Sequence, residues 1–237
     1  MLAHRAGAET RVLCFTDGQA AHFRGDAKDN EALGRTRREE MDAACAVLGI
    51  THHEVLHFPD GALAQESFRK MVWVVVERIW LWRPHVVLTF GADGGVNLHR
   101  DHTMVSVVTT AAFHWAGRPE MFSHPAEQDP STAEPAGWTP QKLYHSSTPF
   151  ISVRGRPELA GSPTVPWSLT LELGDLAERK MEAFLKHHSQ RGVLERVGEQ
   201  VKQAMRVERY LLAANRGQIA VISDTAMFAG IVEDGSQ

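Results

Sequence analysis

Three short apolar runs, each followed by a stretch with helical spacing, restrict the architectures open to this chain more than any other feature. The runs are RVLCFT (Arg11 to Thr16), HEVLHF (His53 to Phe58) and VVLTF (Val86 to Phe90). Each is short, apolar and bounded by polar or turn-forming residues, as a buried strand requires. Between the first two, Met41, Ala44, Cys45 and Leu48 fall on one face of a helix over Arg35 to Leu48, with Gly49 placed to end it. Between the second and third, Phe68, Met71, Val72, Val75, Ile79 and Trp82 recur at helical spacing until Pro84 stops them. Strands that alternate with helices and are apolar along their whole length belong to a mostly parallel sheet with helices on both faces, the α/β class.

Beyond Phe90 the spacing predicts a helix from about Thr103 to Ala112. Gly117 to Pro140 then holds five of the eleven prolines and reads as a long surface loop. A strand around KLYHSS, an extended segment near WSLTLEL, and helices over about Leu176 to His187 and Val193 to Met205 follow. No internal repeat or linker interrupts the chain, so a single domain over residues 1–237 is expected.

Charge and composition exclude several classes of function. A net charge of -4 and a pI near 6.3 leave no broad basic surface for nucleic-acid phosphates. The opening MLAHRAGAETRV lacks a signal-type apolar core, and the longest apolar run, Met71 to Val76, is too short to cross a membrane. Cys14 and Cys45 read as reduced core residues, consistent with a cytoplasmic setting.

In open parallel sheets, ligands bind just beyond the carboxyl ends of the strands. Three polar clusters fall there: TDG (Thr16 to Gly18), PDG (Pro59 to Gly61) and NLHRDH (Asn97 to His102). His99 and His102 lie three apart across Arg100 and Asp101. One could bind zinc while the other faces substrate, with the aspartate orienting an imidazole. The same residues also suit an ordinary helix start, with Asp101 as its N-cap. The glycine-rich G-x-G-x-x-G turn of dinucleotide-binding folds is not found, and GADGG lacks its spacing.

Read in order, RVLCFTDG, RREEMDAACAVLG, LHFPDGAL, RPHVVLTFGADGGVNLHRDH and KMEAFLKHHSQ resemble the PIG-L or LmbE-like family of zinc-dependent deacetylases, up to about Leu212. The resemblance implies a Rossmann-like, doubly wound sheet, one catalytic Zn2+ or another divalent metal, and removal of the acetyl group from a small N-acetylated amino-sugar conjugate. It matches His102 to a zinc-binding histidine, His99 to a histidine that assists the transition state, and Asp101 to the carboxylate between them. Arg37 resembles a substrate-binding arginine in an R-x-x-E pattern with Glu40, and Asp60 a carboxylate that holds sugar hydroxyls. His187, Ser189 and Gln190 match a late H-x-S-Q pattern, for which a polar helix end is an equally good reading.

The family's A-H-P-D-D-E hallmark, which carries two metal ligands and the general base, is not in the sequence. A tyrosine expected shortly before the motif histidines is also absent, with Asn97 in its neighbourhood. MLAHRAGAETRV corresponds to the helix that follows the hallmark, so the native protein is expected to start upstream of Met1. The first, central strand is expected to be missing from the sheet, leaving the strands at Arg11 and Val86 with unpaired inner edges, which a partner chain in an oligomer could cover. The chain also supports a second reading, an inactive sugar-binding or interaction protein, because one histidine does not hold zinc tightly.

Overall fold

The computed structural model describes residues 1–95, 99–122, 137–146, 167–193, 195, 206–216 and 227–232. Most of the proline-bearing loop, Asn97 and most of the expected helix over 193–205 lie outside the described residues. The chain forms two compact units: Met1–Leu63 with Leu171–Glu208, and Ala64–Thr170 with Arg209–Gln237.

The first unit opens with a four-residue helix α1 (Leu2–Arg5), whose Met1 and Leu2 pack on buried Leu173, Leu176 and Ala177. Strand β1 (Arg11–Cys14) pairs in parallel with β2 (His52–Val55), and Leu56 and Phe58 continue the ladder by donating to the carbonyls of Cys14 and Phe15. The Phe15 and Phe58 rings stack at 5.7 Å just past the strand ends. Between the strands runs α2 (Asn30–Leu48), longer by five residues than the spacing predicts. Its N-cap is Asp29, whose carboxylate accepts from the Ala32 amide at 2.7 Å. Gly49 ends it in the left-handed conformation, φ 72, as expected. Helix α5 (Leu176–Leu185) packs against α2. Cys14 and Cys45 are free thiols, and burial next to Cys45 pushes Cys14 up to about 11, so it stays protonated near neutrality.

The second unit is built on α3 (Phe68–Trp82), β3 (Val86–Phe90), α4 (Arg100–Trp115) and β4 (Lys142–Ser146). Helix α3 starts at the Ser67 cap and buries Met71, Val72, Val75, Val76, Ile79 and Trp80, the stripe legible in the sequence. It ends at Arg83, held at φ 49 because the following proline disfavours a right-handed helical residue there. Helix α4 packs on α3 and β3 and buries Val108, Ala112 and Phe113. Trp73, Trp80, Trp115 and Phe122 close the outer side of this helix pair as an aromatic cluster, with the Trp80 indole donating to the Ala116 carbonyl at 2.7 Å. No described helix is long and apolar enough to cross a membrane.

Strands β3 and β4 are parallel, and β5 (Leu169–Glu172) and β6 (Val207–Asn215) complete a sheet of order β3-β4-β6-β5. The nine-residue β6 was not expected. It runs antiparallel to β4, with a register irregularity at Leu143/Tyr144. The expected single sheet is described as two, with β1 and β3 each terminal in its own. Leu88 at the centre of β3 is 47% exposed.

Candidate functional site

The histidine cluster sits on the second unit, where β3 turns into α4. Gly91 donates to the Ser146 carbonyl at 2.8 Å, so the chain leaves the sheet still tied to β4. It then turns through Gly94 (φ 87) and Gly95 (φ 62), with the Asp93 carboxylate accepting from the Gly95 amide at 2.9 Å. This left-handed turn points the Gly94 carbonyl at His102 Nδ1, 3.1 Å away. A carbonyl only accepts, so Nδ1 carries the proton and the His102 lone pair is on Nε2. The ring is also stacked on Phe90, 4.0 Å between centroids and 4° from parallel, which fixes its plane.

His99 has the opposite tautomer. It is the N-cap of α4, and its Nδ1 accepts from the Asp101 amide at 3.2 Å. The proton of the neutral ring is therefore on Nε2. Asp101 is thus not the cap that its residue type suggests: the imidazole takes that position, and the helix begins three residues earlier than the apolar spacing shows. Asp101 is instead buried in the first turn, where the helix dipole favours a negative charge. The two rings lie 5.5 Å apart, one with an accepting Nε2 and the other with a donating Nε2. Sequence reasoning gave no weight to His145 on β4, which meets Thr110 Oγ1 at 3.1 Å, and burial lowers its affinity for a proton.

Arg37 and Asp60 are built into the first unit, beyond the ends of β1 and β2. Asp60 accepts from Thr16 Oγ1 at 3.3 Å and from the Ala20 amide at 3.0 Å, joining the TDG and PDG clusters. Arg37 is not a solvated helix charge. Its Nη2 donates to the Phe23 carbonyl at 2.9 Å, its Nε is buried without a partner, and burial lowers its pKa against the opposing pull of Glu40 and Asp60. Gly18 (φ 69) makes room for it, since a Cβ there would lie 3.1 Å from Arg37 Nη1. The neighbouring Arg38, which the motifs did not single out, donates to the carbonyls of Val55 and Leu56 and to Asp17. It fixes α2 against the end of β2.

The resemblance implies a zinc site, and the residues can be tested against one. A catalytic zinc takes three protein ligands. Among the described residues no three histidine, cysteine, aspartate or glutamate side chains converge as a metal site. His102, oriented by a carbonyl behind Nδ1, has the form of one such ligand. The described set does not fit the ion.

The sequence pattern of the PIG-L family, GlcNAc-PI de-N-acetylase, matches residues 1–113. That segment is similar to the PIG-L family and makes up a little under half of the chain. The chain is 27% identical over 225 residues to 1D-myo-inositol 2-acetamido-2-deoxy-alpha-D-glucopyranoside deacetylase of Rhodococcus jostii, covering 78% of this chain and 72% of that protein. Against other curated relatives it spans about half their length, 51% in one and 43% in another. Among solved structures, the N,N'-diacetylchitobiose deacetylase of Pyrococcus horikoshii superposes with a TM-score of 0.66 at 18% identity, over 89% of this chain and 75% of that one. The 4-carboxy-2-hydroxymuconate hydratase of Pseudomonas putida KT2440 superposes with 0.64 at 17% identity, over 92% and 89%. The Rossmann-like α/β fold is therefore shared with a deacetylase and with a hydratase, and the fold does not select the reaction.

Proposed function

We propose that this chain acts on small N-acetylglucosamine conjugates as an amide hydrolase that releases acetate and a free amine. The observation that carries this reading is the pair of opposed tautomers at His99 and His102, within the segment that matches the PIG-L family. Hydrolysis adds water to the acetyl carbonyl, makes an oxyanion, and then breaks the C–N bond as the amine takes a proton. His99 presents a donating Nε2 suited to hydrogen-bond the oxyanion as it develops. With Nδ1 accepting from the Asp101 amide, the ring offers Nε2–H as its hydrogen-bond donor. Asp101 holds the turn that sets this geometry.

His102 offers an accepting Nε2 to an electrophile, and Zn2+ is the electrophile that the family resemblance implies. A zinc ion there would polarise the carbonyl and lower the pKa of its water. Since the described residues supply one suitable ligand, no step is assigned to the ion and no described residue is assigned as general base. Arg37 and Asp60 take the recognition roles, the guanidinium toward carbonyl or hydroxyl oxygens and the carboxylate toward sugar hydroxyls.

The lack of a three-donor cluster among the described residues favours a second reading, an amino-sugar-binding protein without turnover. Both are tested by one experiment: measure bound metal by mass spectrometry and acetate release from N,N'-diacetylchitobiose and an N-acetylglucosaminyl inositol. Acetate release that His102→Ala abolishes supports the hydrolase. Sugar binding with neither metal nor acetate supports the second reading, and absence of both binding and release removes the two together.

A further inference from the structure

Glu40 is a buried carboxylate on α2, 5% exposed, that neither reading above employs. Both of its oxygens serve the turn after α5: Oε1 accepts from the Ser189 amide at 2.6 Å and Oε2 from the Ser189 hydroxyl at 2.8 Å. Burying a carboxylate is costly unless its hydrogen bonds are made, so this clamp fixes the turn to α2. The turn begins at His187, whose Nδ1 faces Glu40 Oε2 at 3.8 Å and is otherwise unpartnered. With Nδ1 buried and directed at a carboxylate, the proton of the neutral ring belongs on Nδ1. The accepting lone pair is then on Nε2 of a side chain that is 23% exposed overall.

The same turn also holds Arg37. A Cβ on Gly192 would lie 2.3 Å from the Phe23 ring, so that glycine admits the ring, and the Phe23 carbonyl is the acceptor for Arg37 Nη2. A Cβ on Gly25 would make ordinary contact with the Ser189 backbone, at 3.4 Å, so that loop also packs on the turn. Arg37 and Glu40 are three apart on one helix, so the contacts close a ring: Glu40 to Ser189, Gly192 to Phe23, and Phe23 back to Arg37. His187 is within electrostatic reach of Arg37, so an imidazole acceptor and a guanidinium donor belong to the same ring of contacts. An anion would match the guanidinium alone, whereas a hydroxyl accepts from arginine and donates to imidazole.

We propose that Glu40 is a positioning residue that aims His187 outward beside Arg37, and that His187 Nε2 accepts a hydrogen bond from a hydroxyl of the bound amino sugar. This rests on the amino-sugar reading above. Burial outweighs the Glu40 charge and holds the His187 pKa below its usual value, in keeping with a neutral acceptor.

The test compares His187→Ala, His187→Gln and Glu40→Gln with the wild type in the full chain, by calorimetric N-acetylglucosamine Kd, by KM and kcat where acetate is released, and by thermal midpoint. Loss of one hydrogen bond to a sugar hydroxyl is expected to raise Kd and KM about 10-fold in His187→Ala with kcat within about 2-fold. Glutamine at 187 keeps an acceptor at the reach of Nε2 and is expected to recover most of that loss. Glutamine at 40 keeps both Ser189 contacts but has no second acceptor for Nδ1, so Kd is expected to rise about 3-fold at an unchanged midpoint. An unchanged Kd in His187→Ala overturns the proposal. So does equal impairment of His187→Ala and His187→Gln with a lowered midpoint, which marks a structural role. Wild-type protein that neither binds nor deacetylates an N-acetylglucosaminide overturns both this inference and the reading on which it rests. Wild-type binding without turnover ends the hydrolase reading alone, and the Kd series still decides the role of His187.

Discussion

At the scale of single residues, the division of labour between His99 and His102 comes from what lies behind each ring. A carbonyl lies behind one Nδ1 and an amide behind the other, so two chemically identical side chains present opposite faces. This predicts an asymmetry that a generic pair of site histidines would not show. His99→Gln retains an N–H donor near the position of Nε2 and is expected to keep most of the activity, whereas His99→Ala is expected to lose about 10²-fold in kcat, as when an oxyanion donor is removed. Steady-state kinetics on the acetate-release assay checks this, and equal losses in the two variants would rule out the donor role. The sequence made the histidines visible but not their tautomers. These depend on the Gly94 carbonyl and on His99 replacing the expected aspartate as cap, both products of backbone conformation.

At the scale of elements, the sequence was most legible where burial is one-sided. The α3 stripe was read nearly to the residue because it buries a continuous apolar face, and the β3 run because it is short, largely apolar and bounded by Pro84 and Gly91, although Leu88 within it is exposed. Helix α2 was read short because Gly34 interrupts the pattern, and its reason lies outside the helix. A Cβ at Gly34 would sit 2.8 Å from Asp17 Oδ2, and Arg38 holds that carboxylate in place. In an exposed helix, Gly→Ala stabilises by about 1 kcal/mol. Here Gly34→Ala is expected to lower the thermal midpoint by displacing Asp17 from Arg38, and a raised midpoint would show that the contact yields freely. Strand β6 escaped notice for a different reason. VERYLLAAN has no clean alternation, and its irregular register against β4 puts successive apolar residues out of step with a two-residue period.

At the scale of the whole molecule, two features bear on stability. Strand β3 is terminal in its sheet and carries an exposed Leu88, an arrangement that invites edge-to-edge association. Leu88→Thr introduces a polar, β-branched strand former and is expected to reduce aggregation by light scattering, with the midpoint unchanged. Unaltered scattering would mean that the edge is not the site of association.

The second feature is the response to acid. His145, beside Asp93, and His187, beside Glu40, Arg37 and His188, both have folded pKa values held below 6.5, chiefly by burial. The native state keeps them neutral, while the unfolded chain takes up their protons once pH falls below about 6.5. Their stabilising contribution is therefore complete above that pH, and it is lost as pH falls from the unfolded value toward the lower folded values. Carboxylates also change the slope in this range, so the informative quantity is a difference between proteins. Glutamine at position 145 can still meet Thr110 but does not titrate. Urea unfolding at pH 7.5 and pH 5.5 is expected to show a smaller loss of stability for His145→Gln than for the wild type, and equal losses would mean that His145 takes up its proton without unfolding.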